Sequence, residues 1–178
     1  MIRWSRSSAS GYTIVELMIS LVIIGIIAAV GLPIYNGYIT TANMVTVNSN
    51  YEKAIRQVLS IDAINRANVA TGNVSTSPTS TSEWVDLLNA SGYEAPGGGP
   101  AYVASSNKAA DRGDSNTGAI GVKYTKGTVE RVGNDGNVEK IQADKVQLWR
   151  PWYLYLSEQR ADIVNGELTN TKLKEARQ

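Results

Sequence analysis

A long apolar segment near the beginning of the chain is the strongest feature of its hydrophobic pattern. Residues 17–32 carry no charged side chain, and only Ser20, Gly25 and Gly31 interrupt their run of aliphatic residues. A helix of about 20 mostly apolar residues spans the hydrocarbon core of a bilayer. With the few residues before it included, this segment predicts a membrane-spanning helix over residues 12–33.

After this segment the pattern changes to a helical period. Apolar residues recur every three or four positions, which is typical of a helix with one buried face. We therefore expect an amphipathic helix over residues 34–67 that packs on a sheet. Pro33 lacks an amide hydrogen, so a kink or break is expected there, and Gly25 and Gly31 weaken the helix just before it. The positions of the apolar stripe are Met44, Val47, Tyr51, Ile55, Val58 and Ile61.

The rest of the chain alternates loops with shorter regular elements. Residues 68–118 predict a connecting loop region that contains a short helix, residues 83–89, capped by Ser82. Residues 119–178 predict an antiparallel sheet and a polar C-terminal tail with at most a weak last helix. The fold class is thus α+β, with a long N-terminal helix on a four-stranded antiparallel sheet. The predicted strands are 119–124, 128–132, 138–141 and 145–149, with turns at Lys126-Gly127 and Asn134-Asp135-Gly136.

A single carboxylate stands at the start of the apolar segment. Glu16 would lie in or beside hydrocarbon, where an ionised group is costly and indicates a function. No Lys or Arg occurs in residues 12–41, so no cation on the same helix can neutralise it. An amine made by cleavage between Gly11 and Tyr12 would more readily meet the Glu16 of a neighbouring molecule. Three interpretations stay open on these residues: a signal peptide, a plain membrane anchor, and a processed helix that self-assembles.

The composition argues against most catalytic and nucleic-acid-binding functions. The formal net charge is +1, which gives no case for nucleic-acid binding. The chain has no Cys and no His, so it lacks disulfides, thiolate ligands and the usual general base. An enzyme would need a carboxylate pair or a Ser-Lys arrangement, and no spacing in the chain specifies either. We therefore predict no enzymatic activity and no cofactor.

Two further clusters have both a structural and a functional interpretation. Asp111, Asp114 and Asn116 present oxygen atoms that could join a calcium site, although a solvated turn is the preferred interpretation. Farther on, four aromatic residues are expected to seal the sheet, with a contact to another subunit or a receptor as the alternative. They are Trp149, Trp152, Tyr153 and Tyr155.

Residues 1–40 closely resemble the N-terminus of a type IV prepilin of the short-leader class. A short basic leader ends in Gly11, and an aromatic residue, Tyr12, follows it. Thr13, two apolar residues, Glu16 and the apolar helix complete the pattern. The chain departs from the family in having Tyr12 where Phe is usual, and its leader is somewhat long. The Gly25 and Gly31-Leu32-Pro33 positions also match.

This resemblance implies a specific processing and assembly route. Residues 1–11 would be a leader that a prepilin peptidase removes, and Tyr12 would then be N-methylated. Glu16 would pair with the Tyr12 amine of an adjacent subunit, with Thr13 part of the same assembly site. The helix could unwind around Gly25, Gly31 and Pro33 in the polymer.

The resemblance also implies location and partners. A ladle-shaped subunit would be stored in the inner membrane and then added to an extracellular, homo-oligomeric helical filament. An assembly ATPase, a platform protein and an outer-membrane secretin would be its partners, and motility, adhesion or DNA uptake its use. The alternative role is a type II secretion pseudopilin, which forms a short periplasmic filament that moves folded cargo.

Overall fold

The computed structural model describes residues 11–74, 76–106, 112–132 and 138–173. The chain divides into two compact units, Met1–Thr41 and Ala42–Gln178, and helix α1 contributes to both. The α+β class is confirmed, because a long N-terminal helix precedes a mixed sheet. The elements are α1 (Ile14–Ala70), α2 (Thr81–Asn89), β1 (Tyr102–Ala104), β2 (Gly113–Asp114), β3 (Ala119–Val132), β4 (Val138–Arg150), β5 (Gln159–Val164) and β6 (Glu167–Leu173).

Helix α1 continues without interruption through Gly25, Gly31 and Pro33. The predicted break is therefore absent from the single chain. A proline inside a helix removes one backbone hydrogen bond. The hydrogen bonds on both sides of Pro33 are enough to keep the helix continuous here. The resemblance also implies that this part of the helix unwinds in an assembled filament, and that stays a prediction.

The second half of α1 supplies one side of the core of the second unit. Val47, Tyr51 and Val58 are fully buried, which confirms the predicted stripe at helical period. Met44 and Ile61, at its two ends, are only partly buried. The facing side chains come from α2 and the sheet, and they include Trp84, Leu88, Tyr102, Ile120, Val122, Val146, Leu148 and Ile163.

Within the described residues, the sheet has six strands rather than the four predicted. Its order is β1-β3-β4-β5-β6, and β2 pairs with β3 off this path. Strand β1 is parallel to β3, with Tyr102 opposite Ile120, whereas every other pair is antiparallel. The prediction of a purely antiparallel sheet was therefore wrong, because β1 and β2 are too short to be recognised from residue alternation.

The predicted turn at Lys126-Gly127 was also wrong. Gly127 lies inside β3, opposite Ala143, and the ladder between β3 and β4 continues past it. The four predicted strands are in fact two long ones, since a glycine is tolerated where both neighbours keep their register. The predicted turn at residues 134–136 lies outside the described residues, although Val132 does pair with Val138.

The polar C-terminal segment forms a hairpin and not a surface tail. Strands β5 and β6 extend the sheet beside β4. Asn165 and Gly166 connect them with φ values of 50° and 70°. Two successive positive φ angles are typical of a tight two-residue hairpin, for which Asn-Gly is the strongest local signal. This signal was overlooked because Arg160 and Asp162 gave β5 the appearance of an exposed segment.

Polar contacts hold this hairpin against α1 in a chain that has no Cys. The Asp62 carboxylate accepts a hydrogen bond from the Gly166 N–H, and Arg66 Nη2 donates to the Gly166 carbonyl at 3.4 Å. At the other end of β5, Arg150 Nη2 donates to the Ser157 carbonyl at 3.2 Å. These contacts stabilise the position of the C-terminal hairpin within the second unit.

Helix α2 begins two residues earlier than predicted. Its N-cap is Ser80, whose side chain accepts a hydrogen bond from the Glu83 N–H at 3.2 Å. Glu83 in turn accepts a bond from the Thr79 N–H at 2.7 Å. The predicted cap, Ser82, lies inside the helix, because a cap must stand three residues before the N–H that it binds. Trp84 is buried as expected.

Candidate functional site

The first part of α1 presents apolar side chains to its surroundings on all sides. Every large apolar residue from Tyr12 to Ile39 is exposed, as Leu17 is at 58%. Among the described residues, α1 is the one helix long and apolar enough to cross a membrane. An apolar surface of this extent marks a contact with a membrane or with protein, and it fits insertion into a membrane.

Thr13 and Glu16 form a reciprocal hydrogen-bonded pair at the start of α1. The Thr13 carbonyl accepts the first helical bond, from the Leu17 N–H. The Thr13 hydroxyl accepts a bond from the Glu16 N–H at 3.2 Å. In return, Glu16 Oε2 accepts longer bonds of 3.4 Å from the Thr13 N–H and hydroxyl. This is a capping box, in which a threonine and a glutamate three residues later satisfy each other's backbone donors.

The capping box gives the Glu16 carboxylate hydrogen-bond donors but no counter-ion. Residues 12–41 contain no Lys or Arg, and within this stretch the positive end of the helix dipole offsets the negative charge in part. The carboxylate therefore has unused capacity for a cation from outside its own helix. The sequence predicted Thr13 only as part of the assembly site. Its capping role could have been predicted as well, from the Thr-x-x-Glu spacing.

Gly11 and Tyr12 precede the helix as an open chain. Both are exposed, and Tyr12 is 86% accessible. A Cβ atom added to Gly11 would meet nothing within 4 Å. The peptide bond between these two residues is therefore accessible to an enzyme, and no packing within the described residues requires a glycine here.

The candidate calcium ligands are not brought together as a set by the described residues. Asp114 Oδ1 accepts from the Asn116 N–H at 2.9 Å, and its Oδ2 accepts from the Thr117 hydroxyl at 2.8 Å. These bonds, that from Asn116 first, lower the pKa of Asp114. Asp111 lies outside the described residues, so the solvated turn stays the prediction and the calcium site its untested alternative.

The four aromatic residues near the end of β4 divide into two groups. Trp149 and Tyr153 are buried, at 2% and 7% exposure, as a sealing role requires. Trp152 and Tyr155 are exposed, and Trp152 Nε1 donates to the Leu154 carbonyl at 2.8 Å. The sealing interpretation therefore holds for half of the cluster only.

One comparison with known proteins identifies the N-terminal segment. Residues 6–32 match the family model described as the prokaryotic N-terminal methylation motif. The match includes Gly11, Tyr12, Thr13 and Glu16, and it ends just before Pro33. No solved structure matches the chain significantly.

Proposed function

We propose that this chain, which carries the type IV prepilin-like leader signature, is a structural subunit of a type IV pilus and not an enzyme. The signature makes it type IV pilin-like or pseudopilin-like in general, and it implies processing by a prepilin peptidase and insertion into a membrane. We further propose that cleavage after Gly11 and methylation of Tyr12 precede polymerisation. The assembly ATPase, the platform protein and the secretin are the partners of that step.

The observation that supports this proposal best is the Glu16 carboxylate. It stands at the start of an exposed apolar segment, and residues 12–41 contain no Lys or Arg that could neutralise it from the same stretch of helix. In a polymer, the apolar helices would exchange lipid for one another at little cost. An unpaired carboxylate in that medium costs several kcal/mol, whereas the Tyr12 amine of the next copy would neutralise it. Glu16 would thereby set the axial register between copies.

Three substitutions separate the charge of Glu16 from its capping role. Glu16→Gln keeps the capping box, since glutamine also serves at this position, but it removes the charge. Thr13→Val removes the capping hydroxyl and keeps the charge. Glu16→Ala removes the charge together with the glutamate half of the capping box, while the Thr13 hydroxyl stays. We expect both Glu16 variants to be cleaved and inserted but to form no filaments, while Thr13→Val still assembles.

Electron microscopy of sheared fibres, with mass spectrometry of their peptides, measures this outcome. Filaments from Glu16→Gln at the level of the unsubstituted chain would show that charge pairing is unnecessary. Loss of filaments in Thr13→Val alone would reassign Glu16 to helix capping.

A substitution of Gly11 tests the processing step separately. We expect Gly11→Val to block leader removal, because a branched side chain would obstruct the peptidase at the cleavage site. Nothing in the described structure opposes this side chain, so the fold should be unaffected. Mass spectrometry of the purified protein would then find residues 1–11 still attached. An unchanged mature N-terminus at Tyr12 would contradict the prediction.

The place of the filament distinguishes the pilus from the secretion pseudopilin, since the leader signature occurs in both. A pilus subunit should be recovered in fibres sheared from the cell surface. Recovery from the periplasm alone, together with loss of a secreted protein when the chain is deleted, would favour the pseudopilin.

A further inference from the structure

The segment that follows β4 forms a tight apolar turn on the surface of the second unit. Residues 151–156 read Pro-Trp-Tyr-Leu-Tyr-Leu and contain no charged side chain. Tyr153 and Leu156 exchange both of their backbone hydrogen bonds, at 3.3 Å from the Tyr153 N–H and 2.9 Å from the Leu156 N–H. Between and beside them, this apolar turn exposes the large side chains of Trp152, Leu154 and Tyr155.

The backbone of Leu154 is in a conformation that leucine adopts only with strain. Its φ is 52°, in the left-handed region that glycine, asparagine and aspartate accept most readily. The other non-glycine residue with a positive φ among those described is Asn165. The Leu154 side chain is 44% exposed, so burial within the unit does not explain why a leucine stands here. Backbone strain of this kind indicates a function, and an exposed leucine indicates an apolar partner.

Polar groups of the apolar turn already have partners within it. Trp152 Nε1 donates to the Leu154 carbonyl at 2.8 Å, and the Tyr153 and Leu156 backbone groups bind each other. A polar group that enters an apolar medium without a hydrogen bond is costly. These groups would keep their hydrogen bonds in a medium of low polarity, so the turn is suited to leave water.

Arg150 fixes the position of the apolar turn in the second unit. Its guanidinium donates to Asn48 Oδ1 of α1 and to the Ser157 carbonyl, so both ends of the turn lie beside Asn48. The β5–β6 turn instead contacts Arg66, about five helical turns farther along α1. The apolar turn therefore lies at the end of the unit where the chain enters from the apolar segment.

This position and the aromatic composition favour a lipid bilayer as the partner. Ile39, at the end of the exposed apolar segment, precedes Asn48 by about two and a half helical turns of sequence. Trp and Tyr are enriched where a membrane meets water, because their rings are apolar with a polar edge. Tyr35 and Tyr38 are exposed at the same end of the segment. A contact between two copies would require neither this composition nor this position.

We infer that the apolar turn inserts into the headgroup region of the bilayer that holds the apolar segment. Trp152 and Tyr155 would lie at the level of the headgroups, and Leu154 would reach the upper part of the acyl chains. The inference rests on the membrane stage of the proposed function and not on polymerisation. The turn would give the second unit a lipid contact of its own before assembly, and that contact would have to be released when the subunit enters a filament.

Quenching of tryptophan fluorescence by brominated lipid measures the depth of the apolar turn. The full chain is reconstituted in phosphatidylcholine vesicles whose lipid is brominated either near the headgroup or near the end of the acyl chain. Of the four Trp residues, Trp4 is replaced by Phe throughout, so that the leader does not contribute. Trp84 and Trp149 are buried and present in every sample, so comparison with a Trp152→Phe variant isolates the signal of Trp152.

We expect lipid brominated near the headgroup to quench Trp152 about twofold more than lipid brominated near the chain end, since interfacial side chains stay near the headgroup boundary. Leu154→Asn should reduce this quenching, because asparagine accepts the backbone conformation but is not apolar. Leu168→Asn is the matched control. Leu168 is 45% exposed and lies just after the β5–β6 turn, at the other end of the unit, so its replacement should leave the quenching unchanged.

Three results would overturn the inference. The first is a Trp152 signal that acrylamide on both sides of the membrane quenches and neither brominated lipid does, which would place the turn in water. The second is protection of Trp152 from acrylamide that disappears when the chain is diluted with lipid, which would assign the turn to a contact between copies. The third is an equal effect of Leu154→Asn and Leu168→Asn.

Resistance of the chain to alkaline extraction from the vesicles is measured in parallel. A chain that alkali releases would contradict the membrane stage of the proposed function, and the inference with it. A resistant chain with Trp152 in water would contradict the inference alone. Because single chains in vesicles are measured, a failure of filament formation would affect neither result.

Discussion

At the scale of single residues, Asp162 is the charged group with the most complete set of partners. It is 3% exposed and lies on the sheet face opposite to the core residues Ala161 and Ile163. Its Oδ1 accepts from Gln147 Nε2 at 3.0 Å and from Arg160 Nε at 2.8 Å. Lys145 Nζ lies 3.2 Å from Oδ2, which also pairs with Arg160 Nη2. If Asp162 were lost, the buried Gln147 would keep an unsatisfied donor, whereas Lys145 and Arg160 are partly exposed and could turn to water.

These partners predict how stability depends on pH. Burial by itself would raise the pKa of Asp162, but the hydrogen bonds from Arg160 and Gln147 and the charge of Lys145 outweigh it and lower the pKa. A carboxyl whose folded pKa is depressed stabilises the fold above its unfolded pKa. That stabilisation is lost as the pH falls through the folded value.

We therefore expect Asp162→Asn to cost on the order of 2 kcal/mol near neutral pH, the range for hydrogen bonds to charged groups. The variant should also lose less stability than the unsubstituted chain on acidification. Thermal unfolding followed by circular dichroism from pH 7 downward measures both effects. Glu167→Gln, at an exposed position of β6, serves as the control. Parallel pH curves for Asp162→Asn and the unsubstituted chain would contradict the prediction.

At the scale of elements, Gly166 in the β5–β6 turn is required both for its backbone conformation and for the space that it leaves beside α1. Gly166 has a φ of 70°, which other residues adopt only with strain. A Cβ atom there would also come within 2.5 Å of Arg66 Nη2 and 3.0 Å of Asp62 Cβ. Gly72 has a similar φ of 80° but open space around it. Substitutions at the two glycines therefore distinguish the stability cost of backbone strain from that of a close contact with α1.

We expect Gly72→Ala to cost about 1 kcal/mol, the strain of a left-handed residue. Gly166→Ala should cost about 1 kcal/mol more, because it also displaces Arg66 and weakens the hydrogen bonds that hold the hairpin to α1. Thermal unfolding of the two variants measures the difference. Equal losses would show that the contact between the turn and α1 does not contribute to stability.

The elements that could be predicted from sequence are those with a sustained period. Val47, Tyr51 and Val58 were placed correctly because a helical stripe repeats over several turns and needs no knowledge of its partner. Strand β5 was missed because Arg160 and Asp162 occupy alternate positions. Gln147 and Lys145 of β4 also bind Asp162 and help to make burial of its charge tolerable, but the sequence does not reveal these partners until β4 and β5 meet.

The residues of the candidate site also differ in how well the sequence alone predicts them. Gly11, Tyr12 and Glu16 lie within one short segment, so their spacing is readable along the chain, and the matched motif includes all three. The capping box was readable too, since it depends on a separation of three residues. The cavity of about 560 Å³ that Asp62, Trp84 and Asp144 line was not, because these residues come from elements that only the fold brings together.

At the scale of the whole molecule, the two units need different surroundings. The second unit buries its own core around α1 and the sheet. The apolar residues 12–39 have no cover within the described part of the chain. The apolar segment fits insertion into a bilayer, and in the proposed filament other copies of it would replace the lipid. The proposed filament therefore requires a partner for Glu16 at the moment when lipid is exchanged for protein.

A mixture of two chains tests that requirement directly. A Glu16→Ala chain that entered a filament would leave one Tyr12 amine without its carboxylate in an apolar core. Breaking one buried ion pair by removing a partner costs roughly 3–5 kcal/mol, or more than a hundredfold in occupancy. We therefore expect cells that express both chains equally to make filaments in which mass spectrometry finds the Glu16→Ala peptide at about 1% or less. Equal recovery of both peptides from fibres, with equal amounts in the membrane, would mean that the amine and carboxylate are not paired between copies.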